Sequence, residues 1–522
     1  MAMTIRTFIS AVAPIANMAI SNCTPIQVTK AQAGGTKMKQ NHLFAALCLL
    51  SLLLSGCMVG PKYVKPTVLM APGFKEQPPD SFKENGVWKS ARPNNQMLLG
   101  TWWEIFGDPH LNALEEEVTV SNQDLKVAEA RFRRARAMIR FNRSAEFPTI
   151  STSPSVVNER YSANKPYFPP SLADNGTGNF TLPFDLSYEV DLWGRVRHSV
   201  NASKEEAQAS AADLQTANLS LHAELAVDYF ELRSADRQKQ LLDDTVKSYT
   251  DALNLTRNRF EVGTAPKSDE VRAQTQLSGA QVQGTDFTVM RAQYEHAIAI
   301  LIGKLPAQFD IVPEPKTDLE LPTIPVGLPT SLLERRPDIA AGERRVAEAN
   351  DQIGIARAAF FPSLVLGATG GFEGTSITNW FSGPSLMWAV GPQVSQTIFD
   401  AGRRRAISES ATANYYGTVA SYRQTTLTAF QEVEDNLAAL RILEKEAQQQ
   451  REASASAEES LQLSTNRYER GVDNYLQVIT AQIELLSNQR NDLDILRRRM
   501  DASVRLVKAI GGGWDASQLP KL

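Results

Sequence analysis

Cysteine is nearly missing from this chain of 522 residues: Cys23, Cys48 and Cys57 are all there is, and none follows residue 57. No disulfide framework and no thiolate metal site can be built from the rest. Histidine is almost as scarce, with His42, His110, His198, His222 and His296 in unrelated segments. No HExxH, GxSxG or phosphate-loop spacing occurs. The sequence therefore offers no catalytic set, and it reads as a non-enzyme with no cofactor and no metal. Excess positive charge is also absent, since the formal net charge is −4, which argues against a nucleic-acid partner. The apolar run Leu43–Leu54 is about a dozen residues long, short for a bilayer span.

That run belongs to the amino terminus. Residues 38–57 read as a positive start at Lys39, an apolar stretch, and Leu54-Ser55-Gly56-Cys57. The pattern is that of a bacterial lipoprotein signal. Small residues admit a signal peptidase, and the Cys57 thiol takes a diacylglycerol. Met58 follows where an Asp would favour inner-membrane retention, so outer-membrane sorting is expected. Residues 1–37 do not fit the signal, and Met38 is a candidate start. Excluding 1–56 leaves 522 − 56 = 466 residues.

What the remainder has is periodicity. Phe180, Leu182, Phe184, Leu186, Tyr188, Val190 and Leu192 alternate with Thr181, Pro183, Asp185, Ser187, Glu189 and Asp191. A period of two sends one set to each face of a strand. One face is apolar and the other carries three carboxylates, as suits a barrel with lipid outside and water inside. Pro183 fits such a strand poorly, because it has no N–H for the ladder.

The chain also repeats itself. Gly194-Arg195 meets Gly402-Arg403 at an offset of 402 − 194 = 208, and Arg259–Gly263 meets Arg467–Gly471 at the same offset. Upstream, Phe147-Pro148 meets Phe361-Pro362 at 214, so the first copy is longer by 214 − 208 = 6 residues, placed in the loop Lys165–Gly178. Each copy reads as a helix, two strands and two long helices. Repeat 1 spans 116–307, with strands about 149–161 and 179–192 and helices 195–262 and 268–305. Repeat 2 spans 336–510, with strands about 363–373 and 385–399 and helices 403–470 and 475–510. Around them lie 57–115, 308–335 and a tail 511–522.

The first long helix of each copy contains no Pro and spaces its apolar residues thinly. A helix packed into a globule needs a broad apolar stripe, whereas one in a wall a single layer thick touches neighbours only at its edges. An exposed coiled coil has the same composition. Four strands per chain cannot close a barrel, and open edges in lipid cost several kcal/mol per unpaired group. Several copies must then share one barrel. Closure alone is satisfied by two chains or by three.

Segments along the whole mature chain resemble the TolC family of outer-membrane efflux ducts, in the lipoprotein branch serving resistance-nodulation-division pumps. They are Gly60-Pro61-Lys62-Tyr63, Trp102–Pro109, Asp191–Arg195, Arg335–Ile339 and Gly511–Trp514. The resemblance implies an α+β membrane protein of two tandem repeats. Three copies form a twelve-stranded outer-membrane β-barrel, continuous with a periplasmic α-helical barrel and ringed by an equatorial belt built from about 57–115, 308–335 and 511–522. It implies a passive exit duct for small molecules, a homotrimer anchored in outer-membrane lipid. The partners are a periplasmic adaptor and an inner-membrane resistance-nodulation-division transporter.

By the same resemblance, the reversals Val262-Gly263-Thr264 and Arg470-Gly471-Val472 dock the adaptor, the second matching less closely. The aperture falls among Ser268, Asp269, Asp473, Tyr475, Gln477 and Thr480. Here the chain departs from the family. Gln477 and Thr480 replace two acids of its best-known member. Asp473 stands where that member has an Arg, so Asp269 and Asp473 form a same-sign pair that repels. Closure is then expected from Tyr475, Leu476 and the Gln477 amide. Two rival readings of the chain are an exit duct for type I protein secretion and a structural lipoprotein of exposed helices.

Overall fold

A computed structural model describes residues 58–68, 71–77, 100–160, 176–315, 321–324 and 332–522, with isolated positions between them. Cys57, the segment 1–56 and most of the Lys165–Gly178 loop lie outside the described residues. Helices α1 (Pro109–Ser121) and α2 (Gln123–Arg143) lead into strands β1 (Thr149–Thr152), β2 (Ser155–Glu159) and β3 (Thr177–Val190). Then come α3 (Arg195–Glu261) and α4 (Lys267–Leu301). The second half runs α5 (Pro337–Ala358), β4 (Ser363–Gly374), β5 (Leu386–Ser395), α6 (Arg403–Glu469) and α7 (Tyr475–Ala509). Helices α3 and α6 each have 67 residues, about 100 Å of rise apiece.

The strands form one antiparallel sheet in the order β1/β2, β3, β4, β5. The expected strand 149–161 is broken, because β1 and β2 are separate segments that both pair with β3. Ser153 and Pro154 fill the gap, facing the Leu182-Pro183 stretch between the partners Phe184 of Thr152 and Thr181 of Ser155. With a proline on each strand, the ladder lacks donors there. The Thr152 hydroxyl instead donates to the Pro183 carbonyl at 2.7 Å. Pro183 is admitted to a central strand because its partner in β4 is Gly371. A Cβ at Gly371 would lie 2.1 Å from the Leu182 carbonyl oxygen. The second-copy strand expected to reach 399 ends at Ser395. The first copy's strand ends at Val190, because Asp191 caps the helix that follows.

Paired residues share a face. The register therefore puts Ile150, Leu186, Ala368 and Val390 on one side of the sheet. Phe184, Gly370 and Trp388 stand on the same side, and the whole alternating apolar set follows. Both outer strands leave this face bare. Ile150 is 70% exposed and Val156 64% on one edge, against 76% for Trp388 and 73% for Val390 on the other. Opposite, Thr369 donates to Asp185 at 2.6 Å.

Each long helix starts at a left-handed glycine, Gly194 (φ 80°) or Gly402 (φ 88°). Asp191 accepts from the backbone N–H of Val196 at 3.1 Å and of Arg197 at 3.0 Å. Asp400 accepts from Gly402 at 3.1 Å and Arg404 at 3.3 Å. A carboxylate at a helix N-terminus meets its free donors and dipole. The second junction has one residue fewer between acid and glycine, and Ala401 is forced to φ 51°.

Helix α3 is central and buries 25 of its residues, whereas α6 buries 11. Helix α6 packs on α5 and α7, and Thr67, Lys75 and Glu76 bond to it at Arg423, Glu434 and Arg441, while Ile407, Tyr416, Leu427 and Leu463 stay exposed. The main core lies at mid-height, where Trp102, Trp103, Leu111, Tyr229, Phe230, Leu437 and Val504 meet. Gly511 and Arg335 touch there, since a Cβ on Gly511 would sit 2.1 Å from the Arg335 carbonyl oxygen. Arg336 holds the crossing together. It donates to the Ala509 carbonyl at 3.0 Å and pairs with Glu432 at 2.5 Å and Asp338 at 2.7 Å.

Candidate functional site

The two reversals lie at the ends of α3 and α6. At the first, Gly263 takes φ 76° and its N–H donates to the Phe260 carbonyl at 2.9 Å. Thr264 closes the turn with its N–H and hydroxyl on the Arg259 carbonyl, at 2.8 and 3.0 Å. At the second, Gly471 takes φ 73° and donates to Tyr468 at 2.9 Å, and Val472 donates to Arg467 at 2.9 Å. Both glycines thus serve as left-handed helix caps. A Cβ on either would meet nothing within 4 Å. Val262 and Val472 are 73% and 62% exposed, and Arg470 is exposed as well. Each tip presents an exposed valine beside an open glycine, and the second adds the charge of Arg470.

The structure brings the two tips together. The Arg259 guanidinium donates to the Tyr468 carbonyl at 2.8 Å and stacks over the Tyr468 ring at 4.5 Å. Beneath them, Tyr249, Leu253, Leu277, Tyr468, Tyr475 and Ile479 form a separate apolar cluster. Burial pushes the Tyr249 hydroxyl up to about 12 and Tyr475 up as well, the latter helped by Tyr468, Tyr249 and Asp269.

The expected aperture residues divide. Ser268, Gln477 and Thr480 are exposed, and the Thr480 hydroxyl donates to the Leu476 carbonyl within its own helix at 3.0 Å. Tyr475 is buried against Tyr468, with ring centroids 5.2 Å apart. Its surface is committed to its own chain. Asp269 is buried beside the same tyrosines. Asp473 is held by Arg467 of its own tip at 2.6 and 3.2 Å. That guanidinium keeps the Asp473 carboxyl below its ordinary range, because its hydrogen bonds outweigh the small desolvation. The pair expected to repel is therefore neutralised on one side within the chain. The sequence offered Arg467 at six residues from Asp473, too far along a helix to suggest a contact.

Ionisable residues are also buried away from the tips. His222 Nδ1 lies 2.6 Å from Glu115 Oε2, and Trp103 stacks on the imidazole at 4.4 Å. Burial pushes the Glu115 carboxyl well up and His222 down to about 4. The contact fixes α1 to α3. Arg233, Asp236 and Arg291 form a second buried group, at 3.3 and 2.8 Å.

Glu231 and Arg497, half-buried, join buried Asp501 where α3 meets α7. Burial, then the charge of Glu231, raises Asp501 to about 7 against the pull of Arg497 and Arg505. A carboxyl raised on folding stabilises the fold fully only below its unfolded value near 4, and that stability is lost as pH rises through 7. Amide exchange around 497–505 is expected to quicken between pH 4 and pH 7. Asp501→Asn should remove that dependence, as exchange measured on both proteins, corrected for intrinsic rates, will show.

Comparison with known proteins agrees with this geometry. The outer membrane efflux protein family matches residues 114–304 and 328–512. The chain is 34% identical over 483 residues to the toluene efflux pump outer membrane protein TtgF of Pseudomonas putida, across 92% of this chain and 98% of that one. It is 31% identical to outer membrane protein OprJ of Pseudomonas aeruginosa, across 92% and 97%. It superposes on the outer-membrane channel OprN with a TM-score of 0.77 at 28% identity, covering 88% of this chain and 100% of that one. For the open state of the Neisseria gonorrhoeae MtrE outer membrane channel the TM-score is 0.76 at 27% identity, covering 88% and 99%. The chain belongs to the outer membrane efflux protein family and is an outer-membrane efflux channel protein.

Proposed function

We propose that three copies of the chain build one duct, the exit channel of a tripartite efflux system. The observation that carries this reading is the sheet with two unpaired edges and a bare apolar face. Hydrocarbon does not tolerate free backbone groups, so the β1/β2 edge of one copy pairs with β5 of the next. With β1 and β2 in one lane, three copies give a twelve-stranded barrel, an even number with room for a lumen. Equal helix lengths in the two halves support a tandem repeat. The exposed Ile407, Tyr416, Leu427 and Leu463 of α6 support a helical wall continued by a neighbouring copy.

In this reading Val262, Gly263, Thr264, Arg470, Gly471 and Val472 receive a periplasmic adaptor. An inner-membrane resistance-nodulation-division transporter supplies the energy. Ser268, Asp269, Asp473, Gln477 and Thr480 surround the aperture, with Tyr475 setting the helix ends from within. The duct itself is passive, and substrate choice lies upstream. Protein purified in detergent and added to a planar bilayer should conduct ions as a trimer. Non-conducting dimers would support the structural lipoprotein instead.

The strap after Cys57 supports lipid anchoring. Val59 donates to the Trp193 carbonyl at 3.0 Å, and the Asn350 amide donates to the Pro61 carbonyl at 3.0 Å. Met58 packs on Gly194, at the junction of sheet and helix. An acyl chain on Cys57 would therefore enter the membrane beside the barrel. Cys57→Ser is expected to abolish incorporation of labelled palmitate, and continued labelling would refute the assignment.

A further inference from the structure

The turn between β4 and β5 folds back on the sheet instead of standing off its end. The Trp380 ring lies 5.6 Å from Phe180 and 5.0 Å from Phe381, and Phe381 lies 5.6 Å from Phe372. The register places Phe180 and Phe372 on the apolar face, since Phe180 pairs with Gly374 and Phe372 with Leu182. The turn thus leans to the apolar side and away from Thr181 and Glu373. A lid over a polar lumen would lean the other way. Its shape is fixed: the Asn379 carbonyl accepts from the Ser382 and Ser385 hydroxyls at 2.7 Å each, and Asn379 Oδ1 accepts from the Ser376 hydroxyl at 3.1 Å. This leaves Ile377 70% and Phe381 63% exposed.

Height along the barrel identifies what these side chains meet. From Phe180 to Val190, β3 rises about 33 Å along the strand. A tilt of about 40° reduces that to about 25 Å, the thickness of an outer-membrane apolar band. The lower end of that span holds a second aromatic pair, Trp193 stacked on Phe361 at 4.6 Å. Aromatic rings collect where acyl chains give way to headgroups.

We propose that residues 375–385 form a lipid platform. Ile377, Trp380 and Phe381 rest in the outer leaflet at its acyl–headgroup boundary and fix the height of the barrel in the membrane. This rests on the barrel reading above. It commits the turn to lipid and excludes it as a cover for the pore.

The test uses the full-length protein in phosphatidylcholine vesicles whose acyl chains carry bromine either near the ester or deep in the chain. Subtracting Trp380→Phe and Trp388→Phe spectra from wild type isolates each indole. Trp388, on the apolar face near the start of β5 and in register with Gly370 and Phe184 of the inner strands, should be quenched better by deep than by shallow bromine. Trp380 should be quenched several-fold better by shallow than by deep bromine, and little by aqueous iodide. If Trp388 is quenched by lipid but Trp380 only by iodide, the platform is wrong and the barrel stands. If neither indole responds to lipid, the barrel reading fails and the platform with it.

Discussion

A strain whose only copy carries Gly263→Trp is expected to export no more than a deletion strain, with normal amounts of assembled protein in its outer membrane. Two effects must be separated. Any L-residue at φ 76° is strained, at a cost of about 1–2 kcal/mol. That is small beside a fold stability of about 5–15 kcal/mol. No atom of the chain lies within 4 Å of the added Cβ, so the indole projects outward without an internal clash. It would then stand on the surface between Val262 and Thr264 that is proposed above to receive the adaptor. Gly263→Ala carries the same strain with almost no bulk and should retain most export. Equal loss in both variants would point to strain alone. Normal export by the Trp variant would remove the docking assignment. Gly471→Trp should behave alike, since that glycine is equally open at φ 73°.

The second large effect is expected inside the sheet. Gly371→Ala should reduce assembled protein in the outer membrane at least tenfold, read as heat-resistant oligomer on gels. The new Cβ would lie 2.1 Å from the Leu182 carbonyl oxygen and 2.9 Å from the Pro183 Cα. Both contacts are to backbone, and β3 is paired on both sides, so it cannot move away without losing ladder bonds. Gly367→Ala is the control, because its nearest atom is 3.9 Å away. A general intolerance of strand β4 to side chains would lower both variants. Only the contact with Pro183 lowers the first alone.

The features legible in the sequence are those that a local pattern can carry. Alternation from Phe180 to Leu192 marks a strand and its two faces, and the register then puts the apolar set on one side. Absence of Pro over seventy residues allows unbroken helices, and Gly263 and Gly471 end them. The Pro154 break was open to the same reasoning, since one more proline opposite Pro183 leaves the ladder short of donors. Contacts between distant residues were not legible. Glu115 and His222 are 107 positions apart, and Arg336 gathers Glu432 and the Ala509 carbonyl across 96 and 173 positions. No periodicity marks such partners. At the tips, the shape of each cap follows from its glycine, but the burial of Tyr475 depends on how four helix ends converge, and the Arg467–Asp473 pair on how the reversal folds back on its own helix.

The central claim is that the open edges of separate copies join. Cysteine cross-linking tests it most directly, because the chain has no cysteine after residue 57 to interfere. One cysteine is placed in β1, as Ser151→Cys, and one is stepped through β5 from Ala389 to Ser395. Oxidation in membranes should give, at one register, covalent dimers and trimers in a ladder that ends at three. A ladder ending at two, or monomers at every register, would contradict a barrel shared by three chains.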